Sequence, residues 1–292
     1  IAYAPHGFRA LRLAGLDPAY CPHAYDPAIY YPMDRAEARK LFQLPDDLFI
    51  VGTVAVNRGG VPSRKSWVEN LEAFAMFAHD KPNVRYFLHT DLADEGYEAG
   101  IPLRPVMANL GILDKVLFCD QERYRYPHMG GFSQDYMRHY YNSIDVLNAV
   151  SNGEGFGIPV LESQAVGVPV IVGDWCAHED LLFAGWKVEK SEAHHFYDQQ
   201  QGWVYIANPV AIADRMNKSY NYYNTTLDGP TLSGLTPTEI MQRRALAGAA
   251  PYQIDTVIRD HWLPLLAELE QDIRTPKSRG VLRIIRQEEV FG

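Results

Sequence analysis

Short apolar runs alternate with amphipathic segments from residue 48 onward, and this repeat constrains the fold more than any other feature. Leu48 to Val56 is rich in β-branched residues; Val84 to His89, Val116 to Cys119, Asp145 to Val150 and Val168 to Val172 are further strand candidates. The last of these, Val168-Pro169-Val170-Ile171-Val172, is apolar without alternation, the pattern of a strand covered on both faces. Between the first two runs, Trp67, Leu71, Phe74 and Ala78 recur at helical spacing and form one face. Strands alternating with helices predict an α/β fold, a Rossmann-like parallel sheet with helices on both faces. Further helices are expected over 209–223, 239–249 and 252–273, and no internal repeat interrupts the series. Residues 1–45 are different: short apolar pieces separated by Pro5, Pro18, Pro22, Pro27 and Pro32, with helices over 7–15 and 35–42.

Charge and composition exclude several functions. A formal net charge of −9 argues against broad nucleic-acid binding, which needs a basic surface, but leaves room for a small anion held by local cations. Cys21, Cys119 and Cys176 are odd in number and fit no C-x-x-C pattern. They read as reduced thiols of a cytoplasmic protein, with peripheral attachment to a membrane left open. No apolar run approaches the roughly 18 residues of a membrane span. The ten histidines form no metal pattern; His178-Glu179 lacks the second histidine of H-E-x-x-H, and His194-His195 reads as a surface pair. Trp175, Trp186 and Trp203 read as core or rim packing.

The segment Ser151-Asn152-Gly153-Glu154-Gly155-Phe156-Gly157-Ile158-Pro159-Val160-Leu161-Glu162 follows a strand and opens a helix. Pro159 suits a first helical turn, and the glycines let the backbone approach a ligand. Free N–H groups at a helix start, with the dipole behind them, make an anion site. Glu162 lies one turn further in, and helical side chains lean back toward the N-terminus, so its carboxylate is expected near the mouth that Glu154 flanks. Two carboxylates beside an anion site suit a phosphate flanked by polyols, because carboxylates accept hydrogen bonds from hydroxyls. The simpler reading is a helix start with acidic first turns and no ligand.

Across the first strand–helix junction runs Asn57-Arg58-Gly59-Gly60-Val61-Pro62-Ser63-Arg64-Lys65-Ser66. Arg64 and Lys65 stand where positive charge opposes the helix dipole, which is better explained if an anion joins them. The loop is one substitution from a P-loop, but Arg64 fills the position where glycine lets backbone meet phosphate. No strand ends in a Walker B aspartate.

The stretch Glu154 to Glu162, with Ala165, Gly167 and Val168 to Ile171, resembles the E-x7-E signature of retaining GT-B glycosyltransferases of family 4, the "group 1" enzymes. Tyr141-Asn142-Ser143-Ile144-Asp145-Val146 resembles the stretch those enzymes place just before it, and Pro22-His23-Ala24-Tyr25-Asp26 resembles their interdomain hinge. The resemblance covers roughly residues 1–273 and divides the chain into three parts. Residues 1–45 would be the remnant of an N-terminal domain and hinge, 46–230 the nucleotide-sugar-binding domain, and 231–292 the C-terminal helices and tail. It implies a hexosyltransferase that moves a sugar from a nucleotide diphosphate, UDP- or GDP-linked, to a sugar, lipid or protein acceptor with retention, without metal or other cofactor. Glu154 would contact the transferred sugar and Glu162 the ribose diol, while Ser151, Gly155, Phe156, Gly157 and Ile158 line the donor. Lys65 matches the family's phosphate-binding lysine; its partner arginine falls at Asn57 or Arg58, with Arg64 able to share the role. Tyr124 or Tyr126, in a loop expected over 120–134, could stack on the base. A domain that binds nucleotide-sugar without turnover, and an epimerase of the same architecture, are the alternatives. The opening Ile1-Ala2-Tyr3-Ala4-Pro5 suggests that the chain begins inside a longer protein whose N-terminal GT-B domain is missing here, with part of the 252–273 face left exposed as a self-associating patch.

Overall fold

The computed structural model describes residues 1–59, 62–93, 100–190, 195–197, 203–224 and 234–274. Two helices, α1 (Pro5–Leu13) and α2 (Arg35–Lys40), precede the sheet. The sheet strands are β1 (Phe49–Val54), β2 (Val84–His89), β3 (Val116–Phe118), β4 (Val146–Asn148), β5 (Val170–Gly173) and β6 (Gly185–Val188). Helices α3 (Trp67–Ala78), α4 (Leu103–Asn109), α5 (Gln121–Arg125), α6 (Gln134–Ser143) and α7 (Ile158–Ala165) alternate with them. All six strands are parallel in the order β3-β2-β1-β4-β5-β6. The expected Rossmann-like sheet is therefore present.

Its interior follows from the strand sequences. Phe49 and Val51 of β1 enter one core with Trp67, Leu71, Phe74 and Phe77 of α3, while Ile50 enters the other with Tyr140 and Tyr141 of α6. In β5, Ile171 faces the first core and Val170 and Val172 the second. Burial on both faces is why these strands carry no polar alternation. At roughly 25 cal/mol per Å² of apolar surface removed from water, such a doubly covered sheet dominates the stability of the unit.

Beyond β6 come β7 (His195–Tyr197) and β8 (Trp203–Tyr205), an antiparallel pair whose Tyr205 N–H donates to the Asn152 carbonyl at 3.4 Å. The strand patterning does not predict it. Helices α8 (Pro209–Asn224) and α9 (Pro237–Ala249) follow. The helix expected over 252–273 runs unbroken over 254–274, as α10 (Ile254–Val257), a π bulge (Ile258–Trp262) and α11 (Leu263–Arg274). Pro264 accounts for the bulge, since it has no N–H for the Asp260 carbonyl and its ring crowds that group. Leu263, Leu266, Leu269 and Ile273 of α11 are exposed. Among the described residues no helix is long and apolar enough to cross a membrane.

Candidate functional site

The chain builds β1, β2 and β3 outward on one side, then returns to β4 and builds outward on the other. Such a switch leaves a crevice outside the carboxyl ends of the two central strands, where ligands of open α/β sheets bind. The segments that leave β1 and β4 there are 55–66 and 149–157, the two singled out in the sequence.

Buried amides fasten these segments together. Asn152 donates to the Ser63 carbonyl at 2.9 Å, accepts from Ser66 Oγ at 2.8 Å, and its backbone N–H donates to the Arg64 carbonyl at 2.8 Å. Asn70 of α3 donates to the carbonyls of Val150 and Lys65, and accepts from Asn148. Ser66, the residue before α3, is held at φ 50°, a left-handed conformation that costs a non-glycine residue about 1–3 kcal/mol. That turn presents Arg64 and Lys65 to the crevice.

There the cations meet Glu154. Lys65 Nζ donates to Glu154 Oε2, and Arg64 Nη1 donates to the same oxygen at 3.3 Å and to the Gly153 carbonyl at 3.1 Å. His178 Nε2 stands 3.9 Å from that oxygen. Burial opposes both charges, pushing the Glu154 carboxyl up and the Lys65 ammonium down. For Glu154 the attraction of Lys65, with His178 and Arg64, outweighs burial and holds the carboxyl below the usual range. The group is ionised at neutral pH. The arrangement is two cations sharing one carboxylate at a crevice mouth, able to exchange that carboxylate for an incoming anion.

Gly157 precedes α7 at φ 106°, a conformation that only glycine adopts cheaply. Ile158 begins the helix partly exposed, Gly155 is exposed, and Phe156 is buried against His23 and Tyr252. Ser151 is buried, its carbonyl accepting from Trp175 Nε1 at 2.9 Å. Glu162 has a separate set of partners. It accepts a hydrogen bond from Tyr141 at 2.7 Å and another from Tyr30. Burial pushes its carboxyl up, against the pull of those two phenols.

The structure thus brings Lys65, Arg64 and Glu154 together and sets two expected residues apart. Asn57 is buried with its amide spent on Asp91, Ile101 and the Ile101 N–H, bracing the loop. Arg58 is exposed, within electrostatic reach of Tyr124. Tyr124 lies in α5 rather than in an irregular loop, its ring beside His89 and Phe132. Trp175 packs as read from the sequence, whereas Trp203 is 62% exposed on β8. His178, Tyr30 and Tyr141 were not singled out as site residues. Tyr141 opens the stretch preceding the turn, but nothing local marks Tyr30 or His178.

Residues 120–219 match the family model described as "Glycosyl transferases group 1". A D-inositol 3-phosphate glycosyltransferase from Acidothermus cellulolyticus is 30% identical over 154 residues, 51% of this chain and 31% of that protein. Sucrose-phosphate synthase from Thermosynechococcus elongatus superposes with TM-score 0.64 at 18% identity, covering 94% of this chain and 58% of that one. HepE from Anabaena, solved in complex with UDP-glucose, gives 0.64 at 17% identity, covering 91% and 63%. The fold is the Rossmann-like fold of GT-B glycosyltransferases. Each of these proteins extends well beyond the part that this chain matches.

Proposed function

We propose that this chain is the donor-binding part of a glycosyltransferase that moves a sugar, most simply a hexose, from a nucleotide diphosphate to an acceptor with retention of configuration. The observation that carries the proposal is the convergence of Lys65, Arg64 and Glu154 at the topological switch point. A diphosphate entering there would draw the two cations from Glu154. They would then stabilise the negative charge that develops on the departing diphosphate, the largest single contribution in most transfers of this kind. The freed Glu154 carboxylate would accept hydrogen bonds from the sugar hydroxyls, and Glu162, held by two phenols, would take the ribose diol. The family match over 120–219 and the UDP-glucose held by HepE support this reading. The charge on the leaving group is assigned to side chains and to no metal. All three cysteines are free, which supports a reducing compartment such as the cytoplasm.

A thermal-shift screen with UDP-, GDP- and ADP-sugars and the corresponding free diphosphates tests this. A ligand at 100 times its Kd adds about 2.7 kcal/mol of stability. Glu162→Gln should weaken both the nucleotide-sugar and its free diphosphate, whereas Glu154→Gln should weaken only the sugar-bearing ligand. Absence of any shift with the whole set rejects the function, and equal losses in both variants reject the division of roles.

A further inference from the structure

His178 follows β5, is buried, and has no part in the transfer scheme above. Its ring packs directly on the glycine turn, since a Cβ on Gly157 would meet His178 Cδ2 at 2.4 Å and Nε2 at 2.6 Å. The same Nε2 faces Glu154 Oε2 at 3.9 Å. The other ring nitrogen, Nδ1, is buried without a well-aligned hydrogen bond, as are Asn148 Oδ1 and Ser151 Oγ, and the Ala149 carbonyl lies within reach of the ring. These three side chains, with Thr53 and Lys65, line one cavity of about 20 Å³. That is room for a single water, which needs two to four polar partners.

We propose that His178 is the positioning residue of Glu154, its tautomer fixed by one water that bridges His178 Nδ1, Asn148 Oδ1 and Ser151 Oγ. Donors and acceptors balance: the water donates to Nδ1 and to Asn148 Oδ1 and accepts from the Ser151 hydroxyl. Nδ1 is then the acceptor nitrogen, and Nε2 carries its proton toward Glu154. While the site is empty of anion, Lys65 and Arg64 hold the carboxylate. Once a diphosphate claims both cations, the His178 N–H is the donor that remains beside Glu154, and closing to about 2.9 Å completes the bond. The carboxylate keeps its aim while its other oxygen meets the sugar. Burial pushes the His178 imidazole down to about 4, so it serves as a neutral donor and adds no charge beside the departing diphosphate. This inference rests on Glu154 being the sugar contact.

Imidazole ¹⁵N NMR on the full chain tests the tautomer without any sugar. The expected result is His178 as the Nε2–H tautomer, with a downfield shift of that proton when inorganic pyrophosphate is added. An Nδ1–H tautomer overturns the proposal whatever the ligand. Calorimetry with UDP-glucose and UDP then separates positioning from packing. His178→Gln, whose amide can replace the Nε2 donor, should hold UDP-glucose affinity within about threefold, while His178→Leu should lose roughly tenfold for UDP-glucose and under about twofold for UDP. Equal behaviour of the two variants, or a loss shared by UDP, overturns it. A wild-type chain that takes pyrophosphate but no nucleotide-sugar rejects the proposed function instead, and the tautomer result still decides the role of His178.

Discussion

Strand β4 has a carboxylate at each end, and each carboxylate meets two cations. At its start Asp145 accepts from Arg39 at 2.9 Å and from Arg35 at 2.5 Å; just beyond its finish Glu154 accepts from Lys65 and Arg64. The stoichiometry is the same and the surroundings are opposite. Arg39 is fully buried, with further hydrogen bonds to the carbonyls of Ser143, Asp46 and Leu48, and Asp145 also accepts the Ile50 N–H at 2.7 Å. Arg39 and Asp145 are committed to the fold, while Arg35 reaches them from a half-exposed position. Glu154 lies at the crevice mouth among side chains that can turn away without breaking a strand or a helix. A saturated, buried pair fixes structure; an unsaturated cluster at the mouth can trade partners.

Arg39→Met tests the structural half and should show the largest effect. It leaves the buried Asp145 carboxylate with only the half-exposed Arg35 as counter-ion, a loss of about 3 kcal/mol. Urea unfolding that shows a loss below about 1 kcal/mol would erase the distinction between the two ends.

The smaller effect is the acid response of the other end. The Glu154 carboxyl is held below its unfolded value, so its contribution to stability is present above the unfolded pKa. It is lost as pH falls through the lower folded pKa. Glu154→Gln should therefore cost about 1 kcal/mol or less at neutral pH, with the gap to wild type closing in acid. A gap that persists at pH 3, read from unfolding midpoints, would mean that the ion cluster is not its source.

The sequence discloses whatever is periodic or local. The non-alternating Val168 to Val172 run announces a strand buried on both faces, and the Ser151 to Glu162 segment announces the glycine turn that opens α7. The features that stay hidden depend on partners far along the chain. Nothing local in the short helix expected over 35–42 marks Arg39, yet it is buried because Asp145, 106 residues later, receives it. Asn57 looks like a phosphate-loop residue until its amide is found spent on Ile101. The β7–β8 ribbon is two three-residue strands, too short for any period to show. His178 lies in no motif, and only the packing of its ring on Gly157 brings it to Glu154.

The central claim is that the Lys65–Glu154–Arg64 cluster opens to a nucleoside diphosphate. Calorimetric titration of UDP and GDP onto wild type, Lys65→Ala and Lys115→Ala tests it most directly. Lys115 is the control, because its ammonium binds the carbonyls of Ala78 and Lys81, remote from the crevice. The account predicts that Lys65→Ala weakens the bound diphosphate by about 1.5–3 kcal/mol and that Lys115→Ala leaves its affinity unchanged. Equal diphosphate affinity in wild type and Lys65→Ala would contradict it.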